Sequence, residues 1–453
     1  MEELTASLAQ NDIYATRRAM LRTIFQETLE AVDVRKVFVH AVACEGGELR
    51  VADLRVADLR YCLDDFRRIL VIAIGKAAAS SADVVLGKLA SYSIAVEAIV
   101  VGPGELRSQD DSVVRWQGSH PLPDEASREA AVHIVDALMK TDAQDLVIFL
   151  ISGGASAMVE LPLDATVTVE ETAAFYRALV HSGLSIAEMN TLRKHASAVK
   201  GGRLAELAAD ATKCTLLISD VPEGKADVIG SGPTLPDSST REQCWEIMRR
   251  PELRSRIPER IRTLLESSDL HETPKQSAAC FRNADSRIVL STRTMLAAAA
   301  ESCERRGFHV VIDNSCDDWE YRAAADYLLA RLLDLSKEHP RVCLLSAGEV
   351  GVNVEGERGA GGRNQQFALY CASRLGSIPA EVAVLSAGTD GVDGNSPAAG
   401  AVVDGTTVER AGGVTDALKR FDAYPLLARI GDVIVTGPTG NNVRDLRILI
   451  GER

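Results

Sequence analysis

Short apolar runs alternate with amphipathic segments along most of this chain. The runs are compact, rich in Val, Ile and Leu, and bounded by glycine or charged residues, so they predict buried β-strands. In the first half the predicted strands cover residues 68–74, 95–101, 146–151 and 215–219. Helical periodicity fills the intervals, most clearly at residues 77–90, 125–139 and 170–182.

The second half repeats this alternation after a polar, proline-punctuated segment at residues 236–274. Its predicted strands cover residues 287–290, 309–313, 382–386 and 432–435, with a further strand from Val342. Strands that alternate with helices predict an α/β fold with largely parallel sheets. We therefore expect two α/β domains, at residues 1–240 and 281–453, joined by a partly helical connection at residues 241–280.

Several predicted strands end in small residues beside a charge, and ligands of open parallel sheets bind outside such ends. The charged ends are Gly75-Lys76, Ser219-Asp220, Gly348-Glu349 and the loop Gly388–Gly394 with Asp390 and Asp393. The ends at Ser152-Gly153-Gly154 and at residues 436–442 are uncharged but open. The tetrapeptide Leu-Ser-Ala-Gly occurs at both 345–348 and 385–388, which places two of these loops on one sheet edge.

The sequence Gly361-Gly362-Arg363-Asn364 follows a Gly-rich loop and opens a predicted helix. Glycines before a helix allow backbone N–H groups to face an anion, and the helix N-terminus adds partial positive charge. Arg363 is unfavourable to the helix itself at that position. The segment thus predicts an anion site, and a structural Gly-rich loop is the alternative.

Together these cations and carboxylates suit phosphoryl transfer, which depends on positioning and charge neutralisation. A second basic stretch, Arg193-Lys194-His195 with Lys200 and Arg203, adds candidate anion ligands beside Gly201-Gly202. Each candidate has a plainer alternative: a solvated lysine in a strand–helix turn for Lys76, an exposed basic face for the 193–195 run, and ordinary turn aspartates for Asp390 and Asp393. As hard oxygen donors, the aspartates could instead hold Mg²⁺.

Composition narrows the class of protein. A chain of 453 residues with 46% hydrophobic and 25% charged residues predicts two or three globular domains. The formal net charge of −14 argues against nucleic-acid and acidic-membrane partners. The nine cysteines include no C-x-x-C pair, so neither a zinc site nor a disulfide framework is expected. No apolar run could span a bilayer, and we expect a cytoplasmic protein.

Common nucleotide-binding motifs are missing from the sequence. Gly75-Lys76 lacks the upstream glycine and following Ser or Thr of a P-loop, and no predicted strand is followed by G-x-G-x-x-G. The kinase tripeptides H-R-D and D-F-G do not occur. Any ATP site must therefore use an uncommon scaffold.

An ordered set of motifs resembles the class II glycerate kinases, whose carboxyl-terminal domain is called MOFRL. The motifs that carry the resemblance are His120-Pro-Leu-Pro-Asp124, Leu150-Ile-Ser-Gly-Gly154, Asn190-Thr-Leu-Arg-Lys-His195, Lys200-Gly-Gly-Arg203, Ser219-Asp-Val-Pro222, Ser231-Gly-Pro-Thr234, Gly361-Gly-Arg-Asn-Gln365, Gly388-Thr-Asp-Gly391 and Val435-Thr-Gly-Pro-Thr-Gly440. The chain departs from the family pattern at Ala155, Gln366, Asn441 and the segment Phe421-Asp-Ala-Tyr424. None of these departures removes a charged candidate residue.

The resemblance implies an ATP- and Mg²⁺-dependent kinase that phosphorylates the 2-hydroxyl of D-glycerate, with a Rossmann-like N-terminal domain and a site in an inter-domain cleft. By motif position, the functional residues would be Lys76, Asp220, Arg363, Asp390 and Asn442, with Asp220 and Asp390 as candidate Mg²⁺ ligands. The remaining binding candidates are Ser152, Gly153, Gly154, Arg193, Lys194, Lys200, Glu349, Asn364 and Asp393.

Three alternatives remain beside this reading. Relatives of the class II family have been called hydroxypyruvate reductases, but such an activity needs NAD(P)H and the usual fingerprint is missing. A kinase for a related small hydroxy acid, or an anion-binding module without turnover, is also compatible. The sequence leaves the oligomeric state open, a homodimer included.

Overall fold

The computed structural model describes residues 2–52, 56–107, 111–354, 356, 358–376 and 381–453, with side chains from residue 13 onward. The chain forms two compact units. Residues Val34–Leu290 form one, here called the central unit, and Met1–Asp33 together with Ser291–Arg453 form the other, the terminal unit. The first element, helix α1 (Glu2–Ala31), belongs to the terminal unit.

The central unit contains nine strands and ten α-helices within the described part of residues 34–290. The strands are β1 (Val42–Glu45), β2 (Glu48–Val51), β3 (Leu59–Cys62), β4 (Arg68–Ile74), β5 (Ala95–Val101), β6 (Val113–Trp116), β7 (Asp145–Ile151), β8 (Thr212–Ile218) and β9 (Ala284–Leu290). The helices are α2 (Val34–Ala41), α3 (Ala78–Leu89), α4 (Glu125–Leu138), α5 (Ala155–Met158), α6 (Val169–Val180), α7 (Ile186–Ala196), α8 (Arg203–Leu207), α9 (Arg241–Met248), α10 (Pro251–Arg254) and α11 (Glu259–Glu266).

The main sheet of the central unit is parallel throughout and has the order β6-β5-β4-β7-β8-β9. Strands β4 and β7 are almost wholly buried, which explains why they could be recognised as continuous apolar runs. Numbered within the sheet the order is 3-2-1-4-5-6, the doubly wound order of Rossmann-like folds. The predicted Rossmann-like domain is confirmed, and its topological switch point lies between β4 and β7.

A repeated pentapeptide, Val-Ala-Asp-Leu-Arg at 51–55 and 56–60, connects two strands of a small antiparallel sheet, β1-β2-β3. Strand β2 ends at Val51, which pairs with Leu59 at the start of β3. The two strands form a hairpin, and residues 53–55 lie outside the described part of the chain.

The polar segment predicted as an inter-domain connection is part of the central unit. Its helices α9 and α11 carry buried side chains, among them Ile247 and Leu265, that form a core with Phe175 of α6 and Leu192 of α7. Caps set the helix starts: the side chain of Thr240 accepts a hydrogen bond from Gln243 N at α9, and Ser185 does the same for Glu188 N at α7. The segment therefore packs as a helical layer.

The terminal unit contains six strands and seven α-helices in its described residues, α1 included. The strands are β10 (His309–Ile312), β11 (Arg341–Ala347), β12 (Glu381–Gly388), β13 (Gly400–Asp404), β14 (Val433–Ile434) and β15 (Asp445–Glu452). The further helices are α12 (Thr292–Glu304), α13 (Tyr321–Glu338), α14 (Arg363–Leu375), α15 (Thr407–Ala411), α16 (Thr415–Lys419) and α17 (Ala423–Arg429).

The sheet of the terminal unit differs from the predicted parallel pairing. Its order is β10-β11-β15-β12-β13-β14, and the only parallel pair among these strands is β10 with β11. Strand β15 runs antiparallel between β11 and β12, so those two strands still point the same way. The loops after β11 and β12 therefore leave the same edge of the sheet, as the repeated Leu-Ser-Ala-Gly predicted.

The predicted domain ranges, 1–240 and 281–453, place α1 with the N-terminal domain, whereas α1 packs within the terminal unit. Leu21, Ile24 and Phe25 of α1 are buried. Arg17 forms ion pairs with Glu381 and, at 2.6 Å, with Glu452. These contacts explain the difference, because they bind the start of the chain to strands β12 and β15.

Within the described residues, no helix is both long and apolar enough to cross a membrane.

Candidate functional site

The switch point of the central sheet is built from small residues that let two strand ends approach closely. Gly75, with φ 119°, follows β4, and a Cβ added there would collide with Ser152. Ser152 Oγ accepts a hydrogen bond from Ala77 N at 3.1 Å, and Gly153 O accepts one from Lys76 N at 2.9 Å. These bonds fix the Lys76 turn against the Ser152-Gly153-Gly154 loop.

Three polar side chains surround this glycine loop. A Cβ at Gly153 would collide with the Asp220 carboxylate. A Cβ at Gly154 would lie 3.3 Å from both Lys76 Cγ and His120 Cδ2. The structure thus brings together Lys76, Gly153, Gly154 and Asp220, four of the predicted residues, in what we call the switch-point cluster. His120 is an additional member that the sequence showed only as part of a turn motif.

Lys76 is the cation of the switch-point cluster. Among the described residues, none makes an ion pair or hydrogen bond with its ammonium group, and the side chain is half-buried. Desolvation and then the Lys76 charge lower the pKa of His120, although that residue keeps an exposed surface. An ammonium group poised beside an open glycine loop can bind and neutralise an anion.

The basic residues predicted on and after α7 make their contacts outside the switch-point cluster. The Lys194 ammonium is buried and pairs with Asp237 at 2.8 Å and Asp227 at 3.3 Å. Lys200 is also buried, and its ammonium pairs with Glu160 at 3.1 Å. These contacts indicate structural cations, a third possibility beside the ligand site and the exposed face that the sequence suggested.

Arg193 is partly exposed and stacks on an aromatic ring. Its guanidinium carbon lies 4.5 Å from the ring centroid of Tyr176, while its Nε atom is buried without a hydrogen bond. The Tyr176 hydroxyl in turn contacts the Glu160 carboxylate. Arg193 therefore belongs to the same packed group as Lys200.

In the terminal unit, Arg363 is held by two carboxylates at the sheet edge. Its Nε and Nη2 atoms donate to Asp445 at 2.6 and 3.1 Å, and its Nη1 atom lies 2.8 Å from Glu349. Burial acts to lower the pKa of Arg363, but these carboxylates outweigh it, so the pKa is raised. Burial raises the pKa of Glu349, which the Arg363 charge opposes. The bidentate fork of Arg363 is thus occupied by Asp445, a residue that the sequence analysis did not single out.

The predicted anion position at the start of α14 is filled by the protein itself. Asp393 is buried, and its carboxylate accepts hydrogen bonds from Asn364 N at 3.1 Å and Gln365 N at 2.9 Å. A Cβ at Gly362 would collide with Asp393, which explains the glycine. The expectation of a free anion site at these amides is corrected: the helix N-terminus binds a side-chain carboxylate.

Asn364 also points into the interior rather than to a ligand. Its Oδ1 atom accepts from Ser386 Oγ at 2.6 Å, and its side chain is buried. Asn442 has a local contact as well, because its Oδ1 atom accepts from Arg444 N at 3.0 Å. Asn364 therefore ties helix α14 to strand β12, and Asn442 stabilises the loop that leads into β15.

We expect Asp393→Asn to destabilise the protein by about 1–3 kcal/mol, because the amide cannot accept from all the N–H donors that the carboxylate serves. Burial raises the pKa of Asp393 from 3.8 to about 6, against the effect of the Gln365 and Asn364 amides. The folded state therefore binds this proton more tightly than the unfolded chain, and that contribution to stability is lost as the pH rises from about 4 to about 6.

Denaturant unfolding at pH 4 and pH 7 measures this effect. The free-energy difference between wild type and Asp393→Asn should be larger at pH 4. The exposed control Asp416→Asn should match wild type at both values. A difference that grows toward pH 7 would contradict the raised pKa.

Arg363, Asp390 and Asp393 line one cavity of about 480 Å³ in the terminal unit. Asp390 Oδ1 accepts from Val392 N at 3.2 Å, and among the described residues no cation pairs with it. A Cβ at Gly388 would lie 3.1 Å from Asp390 Oδ1 and 3.3 Å from Asp445 Oδ1, so the two carboxylates approach each other there. The cavity therefore combines two arginines, Arg358 and Arg363, with two carboxylates, and among the described residues that of Asp390 makes no ion pair.

Phe421 also lines this cavity, and its backbone is strained. Its φ of 51° lies in the left-handed region, where a bulky side chain is disfavoured by roughly 1–3 kcal/mol. Backbone strain is invisible in a sequence, which explains why Phe421 was noted there only as a departure from the family pattern.

Within the part of the chain that the structure describes, no group of three or more His, Cys, Asp or Glu side chains could hold a metal ion. Magnesium in phosphoryl-transfer sites is usually bound by one or two carboxylates together with phosphates and water. Asp390, whose carboxylate lies on the cavity wall and makes no ion pair with any described residue, fits that requirement.

Two family models match this chain. One, described as a domain of unknown function (DUF4147), matches residues 20–266, and the other, described as the MOFRL family, matches residues 342–445. The first covers β4, β7 and β8 with the switch-point cluster, and the second covers the cavity of the terminal unit.

Relatives match over most of their length. A D-glycerate 2-kinase of Thermotoga maritima is 36% identical over 84% of this chain and 90% of its own length. A protein of Agrobacterium vitis, provisionally named hydroxypyruvate reductase, is 35% identical over 92% of this chain and 94% of its own. The crystal structure of a glycerate kinase from Thermotoga maritima superposes with a TM-score of 0.81 at 32% identity, covering 96% of this chain and all of that one.

Proposed function

Because this chain belongs to the glycerate 2-kinase family and is a kinase, we propose that it transfers the γ-phosphoryl group of ATP to the 2-hydroxyl of D-glycerate. The product would be 2-phosphoglycerate. The observation that carries this proposal is the Lys76 ammonium, which has no partner among the described residues and belongs to a side chain that borders the same glycine loop as Asp220. A transferring phosphoryl group is anionic and needs such a charge.

In this reaction Lys76 would neutralise charge on the transferring group. A fixed cation costs no reorganisation at the moment of reaction, so it stabilises the transition state more than a mobile solvent does. The glycine residues 153 and 154 leave room for the group to approach the Lys76 side chain. Asp220 would bind or orient the reacting groups from the other side of the same loop.

Asp390 would receive the proton of the attacking hydroxyl or hold Mg²⁺ in the terminal unit. Its carboxylate lines the cavity and makes no ion pair among the described residues, so either role is chemically open to it. When bound, Mg²⁺ supplies positive charge that offsets the phosphate charge. We assign the switch-point cluster and the cavity residues to one reaction because the motifs of the family include both.

Arg363 would not bind the substrate through the two N–H groups of its bidentate edge. Asp445 and Glu349 would hold its guanidinium group in place instead. That edge is engaged by Asp445, but a guanidinium has further N–H donors beyond these contacts. We propose that these donors contact an anionic oxygen while the two carboxylates fix the guanidinium plane. Lys194 and Lys200, whose ammonium groups are buried in ion pairs, have a structural role in this proposal.

Enolase provides a direct test of the product, because it converts 2-phosphoglycerate and not the 3-phosphate. We expect purified protein with ATP, Mg²⁺ and D-glycerate to give an enolase-coupled signal without phosphoglycerate mutase. A signal that appears only after mutase is added would show transfer to the 3-hydroxyl and contradict the proposal.

The same preparation distinguishes the other candidate functions. Oxidation of NADH or NADPH by hydroxypyruvate would support the reductase reading that the Agrobacterium relative's name suggests. Formation of ADP with another small hydroxy acid, but not with D-glycerate, would support the kinase activity and show that the acceptor is a different hydroxy acid. Binding of ATP without turnover would indicate an anion-binding module.

A further inference from the structure

The cavity of the terminal unit is larger and more apolar than a three-carbon acid requires. Its volume of about 480 Å³ lies within the roughly 300–1,000 Å³ that is typical of sites for drug-sized ligands. Part of its lining is apolar, formed by Val350, Val352, Val354, Val392 and Phe421. D-Glycerate is small and fully polar, so it would neither fill this space nor gain from contact with these side chains.

The charged part of the lining suits phosphate groups. Arg358 lines the cavity, and among the described residues none pairs with its guanidinium. Arg363 lines it as well and keeps N–H donors beyond its carboxylate contacts. A ligand with a flat apolar part and an anionic part therefore matches both halves of the lining.

The strained backbone of Phe421 is held in place from several sides. Arg420 O accepts from Gly359 N at 3.1 Å, and Asp422 Oδ1 accepts from Ala360 N at 2.9 Å. Ala360 O accepts from Tyr424 N at 3.0 Å. These bonds tie the loop of Phe421 to the loop that leads into Arg363. Strain that the surroundings maintain at a cavity wall is typical of a residue retained for its side chain.

We infer that the adenine nucleotide binds in this cavity and that its base packs on the Phe421 ring. The inference rests on the proposed kinase function and names the nucleotide subsite within it. An aromatic face accepts any base by stacking, and the neighbouring valines extend the apolar surface around the ring. The phosphates extend toward Arg358 and Arg363. The switch-point cluster has no G-x-G-x-x-G loop, so its Lys76 and Asp220 act at the anionic reacting groups.

The substitution Phe421→Asn separates the side chain from the backbone strain. Asparagine tolerates a left-handed backbone, so the relief of strain should offset the packing of the ring against the core that is lost, and Tm should stay within roughly 2–4 °C of wild type. Loss of the ring should raise the Kd for ADP about tenfold, or ~1.4 kcal/mol, in isothermal titration calorimetry. The KM for ATP should rise to a similar extent while the KM for D-glycerate stays unchanged.

A second variant, Phe421→Leu, removes the aromatic face but leaves a branched side chain at the strained position. It should weaken ADP binding without raising Tm. Trp319→Leu is the matched control, because Trp319 is a 40% exposed aromatic residue of the same unit that does not line the cavity. It should leave the Kd for ADP unchanged.

The outcomes separate this inference from the proposed function. If wild type binds ADP and both Phe421 variants bind it equally well, the nucleotide lies elsewhere and the inference fails while the kinase stands. A rise in the KM for D-glycerate alone would assign the cavity to the acceptor and overturn the inference. If wild type binds neither ATP nor ADP, the proposed function fails together with it.

Discussion

Replacing Lys76 with methionine is expected to lower kcat by about 10²-fold or more while the protein stays folded. The change removes an ammonium group that pairs with no described residue, so no buried carboxylate loses its partner. The loss corresponds to about 2.7 kcal/mol of transition-state stabilisation. The substitution should lower kcat more than it changes KM, because the charge acts mainly on the phosphoryl group while it is being transferred.

Lys88→Met is the matched control for this experiment. Lys88 lies in the last turn of α3, the helix that begins just after Lys76, and its ammonium makes no ion pair among the described residues. It should leave kcat unchanged. The enolase-coupled assay measures both variants, with circular dichroism as the check on folding. Near-normal turnover in Lys76→Met would show that the residue is a solvated lysine in a strand–helix turn.

Replacing Asp390 with asparagine is expected to lower kcat by roughly 10²–10⁴-fold, the range for loss of a general base. The fold should survive, because the asparagine Oδ1 atom can still accept the hydrogen bond from Val392 N. The carboxylate lies near Asp445 at Gly388, so the change also reduces negative charge beside the Arg363 pair. Turnover at saturating D-glycerate measures the effect.

The magnesium dependence of Asp390→Asn distinguishes its two possible roles. Partial recovery of kcat at raised Mg²⁺ would identify Asp390 as a metal ligand, whereas unchanged low activity would identify it as the proton acceptor. Asp416→Asn, an exposed aspartate of the same unit, should keep wild-type turnover. Activity of Asp390→Asn within a few-fold of wild type would remove Asp390 from both roles.

The central sheet could be predicted because its strands are buried on both faces. Residues 69–74 of β4 are all buried, so the strand is a continuous apolar run that the sequence displays directly. The glycine and lysine after it could also be placed, because the carboxyl ends of parallel strands share an edge. The switch-point residues Lys76 and Asp220 followed from the sequence by this local logic.

The terminal sheet was harder to predict, since strand pairing there depends on partners distant in the sequence. Strand β15 contains Arg447, which is fully buried in the structure, and its charge interrupts the apolar pattern. The sequence of β15 contains no signal that it pairs antiparallel with both β11 and β12. The alternating pattern of the chain therefore suggested parallel neighbours where antiparallel ones occur.

The charged candidates failed or changed role where their partners come from other loops. A sequence shows the charge of Lys194 but not the Asp237 carboxylate that pairs with it. It shows glycines before α14 but not that Asp393 fills the space they leave. In both cases a buried contact between segments distant in sequence decides the role of the residue. The periodicity and spacing of the sequence carry no information about such contacts.

The central position of β15 has a consequence for how the protein is made. A ribosome releases α1 first and β15 only after residues 34–290 and the flanking strands β11 and β12. Until residues 445–452 emerge, β11 and β12 each present an unpaired edge, and α1 lacks the Glu452 partner of Arg17. Exposed strand edges promote association between chains. A nascent or truncated chain that stops short of residue 445 therefore exposes two unpaired strand edges that can pair with other chains. The parallel sheet of the central unit, in contrast, already has all its strands.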